Sequence, residues 1–134
     1  MRISCFNSRK RRGVTLAESG LVYSMAMLMI VGTMIAGLGV YRYEQVARLA
    51  NYGARWASVH GLTWQQESGQ PAPTSTDVYN AILPNTVGLN ASDLSCVLFT
   101  SSNTVRVTVN YTWVPEGFWN PIILSNTAEM PVTY

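Results

Sequence analysis

The feature that most constrains this chain is an unbroken apolar run near its N-terminus. Residues 20–41 read GLVYSMAMLMIVGTMIAGLGVY and contain no charged side chain. Since an α-helix rises about 1.5 Å per residue, the run spans about 30 Å, the hydrocarbon thickness of a bilayer. It therefore predicts one transmembrane helix. The alternative is a buried core helix of a soluble protein, but such helices seldom run this long without a polar face.

Basic residues are unevenly distributed about this run. Five of the nine Lys and Arg residues precede position 13, where the chain has no acid. From residue 14 onward four basic residues face seven acidic ones, a net charge of −3. A positive cluster beside a transmembrane helix stays in the cytoplasm, so the rest of the chain is expected to cross the membrane. The distribution does not suit a nucleic-acid partner, which needs basic groups spread over a folded face.

A secretory signal peptide also joins a basic segment to an apolar one. Its apolar core is normally about 7 to 15 residues, shorter than the run here. The best small-x-small pattern, Gly37-Leu38-Gly39, is a poor cleavage site. Cys5 precedes the apolar run, so it does not match a lipid-anchor cysteine. A retained membrane helix is the favoured interpretation.

The helical pattern continues beyond the apolar run. Small and apolar residues recur at helical spacing: Val46, Leu49, Ala50, Gly53, Ala54, Trp56 and Ala57. Ser58 and the polar residues before it lie on other faces, and Gly61 suits a C-terminal stop. One helix is therefore expected from about Thr15 to His60, with its first half in lipid and its second half amphipathic.

Composition changes after this helix. Residues 62–76 are rich in Gln, Ser, Thr, Pro and Gly and lack an apolar period, which predicts a linker or surface loop. Residues 77–134 are predicted to form a small α+β head. In it, Thr76 is expected to cap a short helix over residues 77–83, with Val78 and Ile82 on one side and Pro84 ending it.

Three strands are expected in this head, the first over residues 96–100. In the second, residues 104–113, apolar residues alternate with polar ones as in a half-buried strand: Val105, Val107, Val109, Tyr111 and Trp113. In the third, residues 124–134, Pro131 lacks a backbone donor and favours an edge position. So small a sheet cannot bury both faces alone. The predicted fold is α+β, a long N-terminal helix packed on a small antiparallel sheet.

The sequence offers few groups for catalysis or metal binding. His60 is the single histidine and has no cysteine near it, so a metal site is not expected. No phosphate loop, nucleophile elbow or Cys/His set can be assembled. Cys96 is expected to be a buried small residue, with an intermolecular disulfide as the alternative. We therefore expect no enzyme, no cofactor and no small-molecule substrate.

Glu18 lies at the head of the apolar run and needs an explanation. A carboxylate in a transmembrane helix costs about 2.5 to 3.5 kcal/mol at the bilayer centre, and less near the edge, so it is usually paired or functional. One interpretation is an interfacial acid shielded by Arg11 and Arg12. In the other, a cut after Gly13 gives Val14 a free amine, one helical turn before Glu18. The amine of a neighbouring subunit would then neutralise the acid.

The arrangement of basic residues, a glycine and an apolar helix with glutamate five positions after the glycine resembles the class III leader of type IV pilins and pseudopilins. The segments LANYGARWASVHG, GLNASDLSCVLF, VRVTVNYTW and LSNTAEMPVTY are similar, in pattern and order, to those of TadE-like proteins. The resemblance covers nearly the whole chain from Arg11 to Tyr134. The family often has an aromatic residue after the glutamate, where this chain has Ser19.

This resemblance implies a pilin-like fold and the role of a minor pseudopilin in a tight-adherence (Tad/Flp) pilus. The leader, residues 1–13, would be kept cytoplasmic by Arg11 and Arg12 and removed between Gly13 and Val14 by a prepilin peptidase. Residues 14–61 would form the helix, anchored in the bacterial inner membrane, and Glu18 would serve assembly. The head would be periplasmic or extracellular, and the other partners would be pilins, pseudopilins and platform proteins.

Two alternatives from other classes remain. In one, the chain is an uncleaved single-pass anchor that displays a binding or adhesive domain. In the other, the head is an enzyme whose site the sequence does not reveal.

Overall fold

A computed structural model describes residues 9–101, 103–115 and 120–132, with the backbone alone at residues 9–14, 62 and 63. The helices and strands follow in the order α1 (Arg9–Val59), α2 (Leu62–Ser68), α3 (Ser75–Ile82), β1 (Leu94–Thr100), β2 (Thr104–Trp113) and β3 (Ile122–Pro131). The long helix packs on the small antiparallel sheet, which confirms the predicted α+β fold. The chain divides into two compact units, Met1–Leu38 and Gly39–Tyr134.

The first unit contains the N-terminal part of α1, and most of the apolar side chains described there are exposed. Leu16, Leu28 and Met29 each leave about three quarters of their surface uncovered. None of the most apolar 18-residue window in Thr15–Val59 is buried, and this helix is long and apolar enough to cross a membrane. An apolar surface of this extent is unfavourable in water and needs lipid or another protein surface to cover it.

Helix α1 begins earlier than the pattern predicts. It starts at Arg9 rather than near Thr15, and it ends at Val59, next to the predicted end at His60. Lysine and arginine are good helix formers, and a single internal glycine costs only about 1 kcal/mol, so the basic segment extends the helix. The predicted leader boundary between Gly13 and Val14 therefore lies within α1 and not at one of its ends.

The sheet has the order β1-β2-β3, and both neighbouring pairs are antiparallel. Leu94 pairs with Tyr111, and Trp113 pairs with Ile122. Strand β1 starts two residues before the predicted Cys96. Strand β3 lies at an edge, as Pro131 predicts, while the predicted last two residues of that strand lie outside the described residues.

The core of the second unit lies between α1, α3 and one face of the sheet. Its buried apolar residues on α1 are those of the predicted packing face: Val46, Leu49, Ala50, Ala54 and Ala57. The alternating residues predicted for β2 are all buried too: Val105, Val107, Val109, Tyr111 and Trp113. Val78 and Ile82 add the buried face of α3, as predicted. The assignment of Ser58 to a polar face is wrong, because it is buried and its hydroxyl donates to the Arg55 carbonyl.

Two local predictions after α1 need correction. The segment 62–76, predicted as a linker or loop, contains α2, whose C-cap Gly69 is in the left-handed conformation (φ 65°). The Leu, Gln and Glu residues of LTWQQES favour a helix even without an apolar period. Helix α3 is capped by Thr74 and not by Thr76: the Asp77 N–H donates to Thr74 Oγ1, and the Thr74 N–H donates to Asp77 Oδ2. This reciprocal capping box fixes the start of α3.

Candidate functional site

The residues predicted for processing and assembly lie on α1 and occupy about two of its turns. Arg11, Arg12, Gly13 and Val14 belong to its first two turns, and Glu18 follows Val14 by four residues. Positions four apart are neighbours on a helix surface. The helix thus places Glu18 one turn beyond the backbone of Val14, the spacing on which the predicted charge pairing depends.

The Glu18 side chain is exposed, and its carboxylate has no hydrogen bond or ion pair within the part of the chain that the structure describes. It is also the only charged residue between Arg12 and Arg42. An exposed carboxylate on an otherwise apolar helix requires a counter-charge from outside this segment, or contact with the polar edge of a bilayer.

The hydroxyl groups near Glu18 are satisfied within the helix itself. Ser19 Oγ donates to the carbonyl oxygens of Thr15, at 2.9 Å, and Leu16, at 3.1 Å. Ser24 and Thr33 donate in the same way to the Leu21 and Ile30 carbonyls. Such internal bonds let a serine sit in an apolar helix at little cost. Ser19, where the resembling family often has an aromatic residue, is therefore compatible with a helix in lipid.

Three glycines of the first unit lie on open surface. At Gly20, Gly32 and Gly37 an added Cβ atom would meet nothing within 4 Å. Glycines on an apolar helix allow the backbone of a second helix to approach closely. The described part of the first unit therefore offers an acid without a partner in that part and a helix surface on which a second helix can pack.

The second unit contains a groove beside the end of α1. Its lining residues come from α1, the turn after it, α2, α3 and the segment between the last two: Trp56, His60, Trp64, Gln70, Pro71, Pro73, Asp77, Asn80 and Ala81. The groove has a volume of about 530 Å³. This is within the range of small-ligand sites, and its mixture of aromatic and polar side chains is typical of them.

The sequence pattern does not group the aromatic residues of this groove. The helical pattern places Trp56 on the packing face, His60 suggests itself only as a metal ligand, and Trp64 lies in the predicted linker. Their spacing of four and four residues is the available signal, because positions four apart are neighbours on a helix surface. Trp56 is half-buried, so the packing assignment holds only in part.

Cys96 is less buried than predicted. Its side chain is partly exposed on β1, and burial of part of its surface raises the pKa of the thiol. The thiol is therefore protonated at neutral pH and weakly nucleophilic. Among the described residues no three His, Cys, Asp or Glu side chains are grouped so as to hold a metal ion.

The fold and these sites define a class of protein: a small α+β domain whose N-terminal helix is apolar and long enough to cross a membrane. Comparison of the chain with protein-family models, curated proteins and solved structures finds no match.

Proposed function

We propose that this chain is a minor pseudopilin of a Tad-type pilus. In this proposal it is held in the bacterial inner membrane with its N-terminus in the cytoplasm and its head outside. A prepilin peptidase cuts it between Gly13 and Val14, and the mature chain acts in pilus assembly. The observation that carries the proposal is the carboxylate of Glu18, which has no partner among the described residues and lies one turn beyond Val14 on an exposed apolar helix.

The role of Glu18 follows from the energetics of charge in lipid. Its carboxylate carries a cost of up to about 2.5 to 3.5 kcal/mol, depending on depth. Cleavage after Gly13 creates an α-amino group on Val14 of every subunit. When two mature helices pack side by side, the amine of one can lie beside Glu18 of the other, and a low dielectric strengthens their attraction. The pair offsets the cost and sets the axial register of the two helices.

The helix surface supports packing between subunits. Most large apolar side chains between Leu16 and Leu38 are exposed, and Gly20, Gly32 and Gly37 have open space where a side chain would be. The basic residues before Gly13 have no acidic neighbours in sequence, which favours a cytoplasmic N-terminus. Both features suit insertion as a single-pass protein, followed by lateral association.

The test of processing is the intact mass of the protein extracted from membranes of cells with an active prepilin peptidase. We expect a chain that begins at Val14, lighter by the mass of residues 1–13. Recovery of the full chain with its first thirteen residues attached would contradict the proposal.

The test of assembly compares three variants in the same cells. Glu18→Ala and Glu18→Gln both remove the negative charge, and we expect membrane insertion and cleavage to persist while piliation falls strongly. Glu44→Ala is the matched control, because it removes an exposed glutamate from the same helix outside the apolar run. We expect it to leave piliation unchanged. Normal piliation in both Glu18 variants would overturn the role assigned to this acid.

The second candidate is an uncleaved anchor that displays a binding domain. The aromatic groove of the second unit favours it, because assembly through α1 does not use that groove. The same mass measurement separates the candidates, since only the pseudopilin loses its leader.

A further inference from the structure

The groove lined by Trp56, His60, Trp64 and Asp77 has no part in the assembly role. Its three aromatic rings hold one another in place. The Trp56 and His60 rings are stacked, with centroids 4.0 Å apart and planes 20° from parallel. Trp64 meets His60 edge-on, at 4.7 Å and 65°. Both tryptophans remain partly exposed. Rings fixed in this way form a preorganised apolar platform that loses little freedom when a ligand packs on it.

A hydrogen bond fixes the orientation of His60. Its Nδ1 lies 2.8 Å from the Trp56 carbonyl oxygen. A carbonyl oxygen only accepts, so Nδ1 carries the proton and donates. In the neutral ring Nε2 is then left as an acceptor. The histidine thus joins the two tryptophans and offers one further polar atom.

Polar groups with unused hydrogen-bonding capacity lie beside the platform. The Gln70 and Asn80 amides have no hydrogen bond to any described residue. Asp77 uses Oδ2 to accept from Thr74, which leaves Oδ1 without a partner among the described residues. Each amide both donates and accepts, whereas the carboxylate only accepts. The groove therefore offers two amide side chains that can donate hydrogen bonds, and several oxygen atoms that can accept them, around one apolar platform.

These features select the chemistry of the ligand. His60 is the only basic residue in the lining, and Asp77 is negatively charged at neutral pH, which disfavours an anion. A quaternary ammonium ion needs several open ring faces around it. Here Trp56 and His60 cover one face of each other, and an ammonium ion without N–H groups would leave both amides unused. A sugar ring needs a single platform for its C–H face, and its hydroxyl groups both donate and accept.

We infer that the groove binds a neutral saccharide, with a pyranose ring packed on the exposed tryptophan surface and hydroxyl groups bonded to Asp77, Asn80 and Gln70. The chain would then carry a carbohydrate-binding site on its second unit. This site includes Trp56 near the C-terminal end of α1 and none of the apolar residues before Gly39 that the assembly role uses. Asn80 is the residue whose removal tests it most cleanly.

The experiment uses the full chain, labelled with ¹⁵N at tryptophan, in a polyoxyethylene detergent that contains no sugar. The probes are maltose, cellobiose and N,N′-diacetylchitobiose, with tetramethylammonium as the cation arm. We expect at least one disaccharide to shift the indole N–H signals of Trp56 and Trp64 saturably at millimolar concentration. The signal of Trp113, which is only 7% exposed, serves as the internal reference and is expected to stay in place.

Two variants and one control complete the test. Trp64→Ala removes part of the platform and should abolish binding. Asn80→Ala removes one amide from an exposed helix position, where alanine favours the helix, and should weaken binding about 3- to 10-fold, the loss of one hydrogen bond. Asn85→Ala removes an exposed amide outside the groove and should change nothing.

Three results would overturn the inference. The first is that none of the three disaccharides binds below about 50 mM, a concentration above the dissociation constants of typical specific complexes. The second is equal binding by the wild type and both groove variants. The third is saturable binding of tetramethylammonium alone. The assay is independent of processing, because neither Gly13 nor Glu18 lines the groove. A failure here would leave the assembly proposal standing, and the reverse also holds.

Discussion

Thr74 determines where α3 begins, because it satisfies a backbone N–H group that the first turn of a helix leaves without a partner. Replacing this cap by alanine should reduce the free energy of unfolding by about 1 kcal/mol. Thr76→Ala is the matched control, since Thr76 is exposed two residues later and caps nothing. Chemical denaturation of both variants measures the difference. An equal loss in the two variants would show that the cap is not at Thr74.

The acid dependence of this cap follows from Asp77. The Thr74 hydroxyl, and then the Thr74 backbone N–H, donate to its carboxylate and hold its pKa below the ordinary value of 3.8. Because the pKa of Asp77 is lowered in the folded state, the contribution of its carboxylate to stability is complete above about pH 3.8. It is lost as the pH falls through the lower folded value. We expect an NMR titration of the Asp77 carboxyl group to have its midpoint below 3.8, and a midpoint at or above it would contradict the capping box.

At the scale of elements, Gly53 sets how closely α1 approaches its neighbours. A Cβ atom at this position would lie 3.1 Å from Val78 Cγ1 on α3 and 3.3 Å from Val107 Cγ1 on β2. These distances are shorter than ordinary carbon–carbon contacts. The helix therefore packs through its backbone at this point, and any larger side chain must push α3 or β2 away.

Gly53→Leu should lower the free energy of unfolding of the head by about 1 to 3 kcal/mol, because overpacking outweighs the gain in helix propensity. Arg55→Leu is the control, since it places the same side chain at an exposed position two residues along the same helix. Denaturant unfolding, monitored by tryptophan fluorescence, to which buried Trp113 contributes, measures both. A Gly53→Leu variant as stable as Arg55→Leu would show that α1 and α3 are not in close contact.

Periodicity predicted those elements whose burial is regular. Strand β2 alternates without interruption, and the packing face of α1 repeats at helical spacing, so the pattern identified both the element and its buried side. The helix α2 was missed because its residues favour a helix without forming an apolar face. The cap at Thr74 was missed because both Thr74 and Thr76 are suitable cap residues, and only the backbone decides between them.

The candidate sites were predictable to different degrees. Glu18 stands out in sequence because it interrupts an apolar run, and the charge itself is the signal. The groove depends on α2 bringing Trp64 against His60, and on Thr74 placing Asp77 and Asn80 near them. Sequence alone does not show that these segments meet, so the tertiary fold was needed to find that site.

At the scale of the whole molecule, the two compact units differ in what stabilises them. Every buried apolar residue among those described lies between Val46 and Val132, within the second unit. The described part of the first unit has exposed apolar side chains and no core of its own. Such a helix depends on lipid or on other helices, whereas a domain with its own core folds in water.

A fragment of residues 39–134 should therefore be soluble without detergent and unfold in one cooperative transition. Gly39 belongs in this fragment because it packs against the Trp113 ring. For a domain of about 100 residues, the expected enthalpy at the midpoint is about 60 to 80 kcal/mol. Differential scanning calorimetry measures it, and the fragment carrying Gly53→Leu serves as a comparison that should melt at a lower temperature. Aggregation of the wild-type fragment, or a broad transition without a defined enthalpy, would show that the head needs the apolar helix to fold. In that case, exposed residues on the head, among them Phe99 and Ile123, would have to be counted as part of a surface that membrane or partner subunits cover.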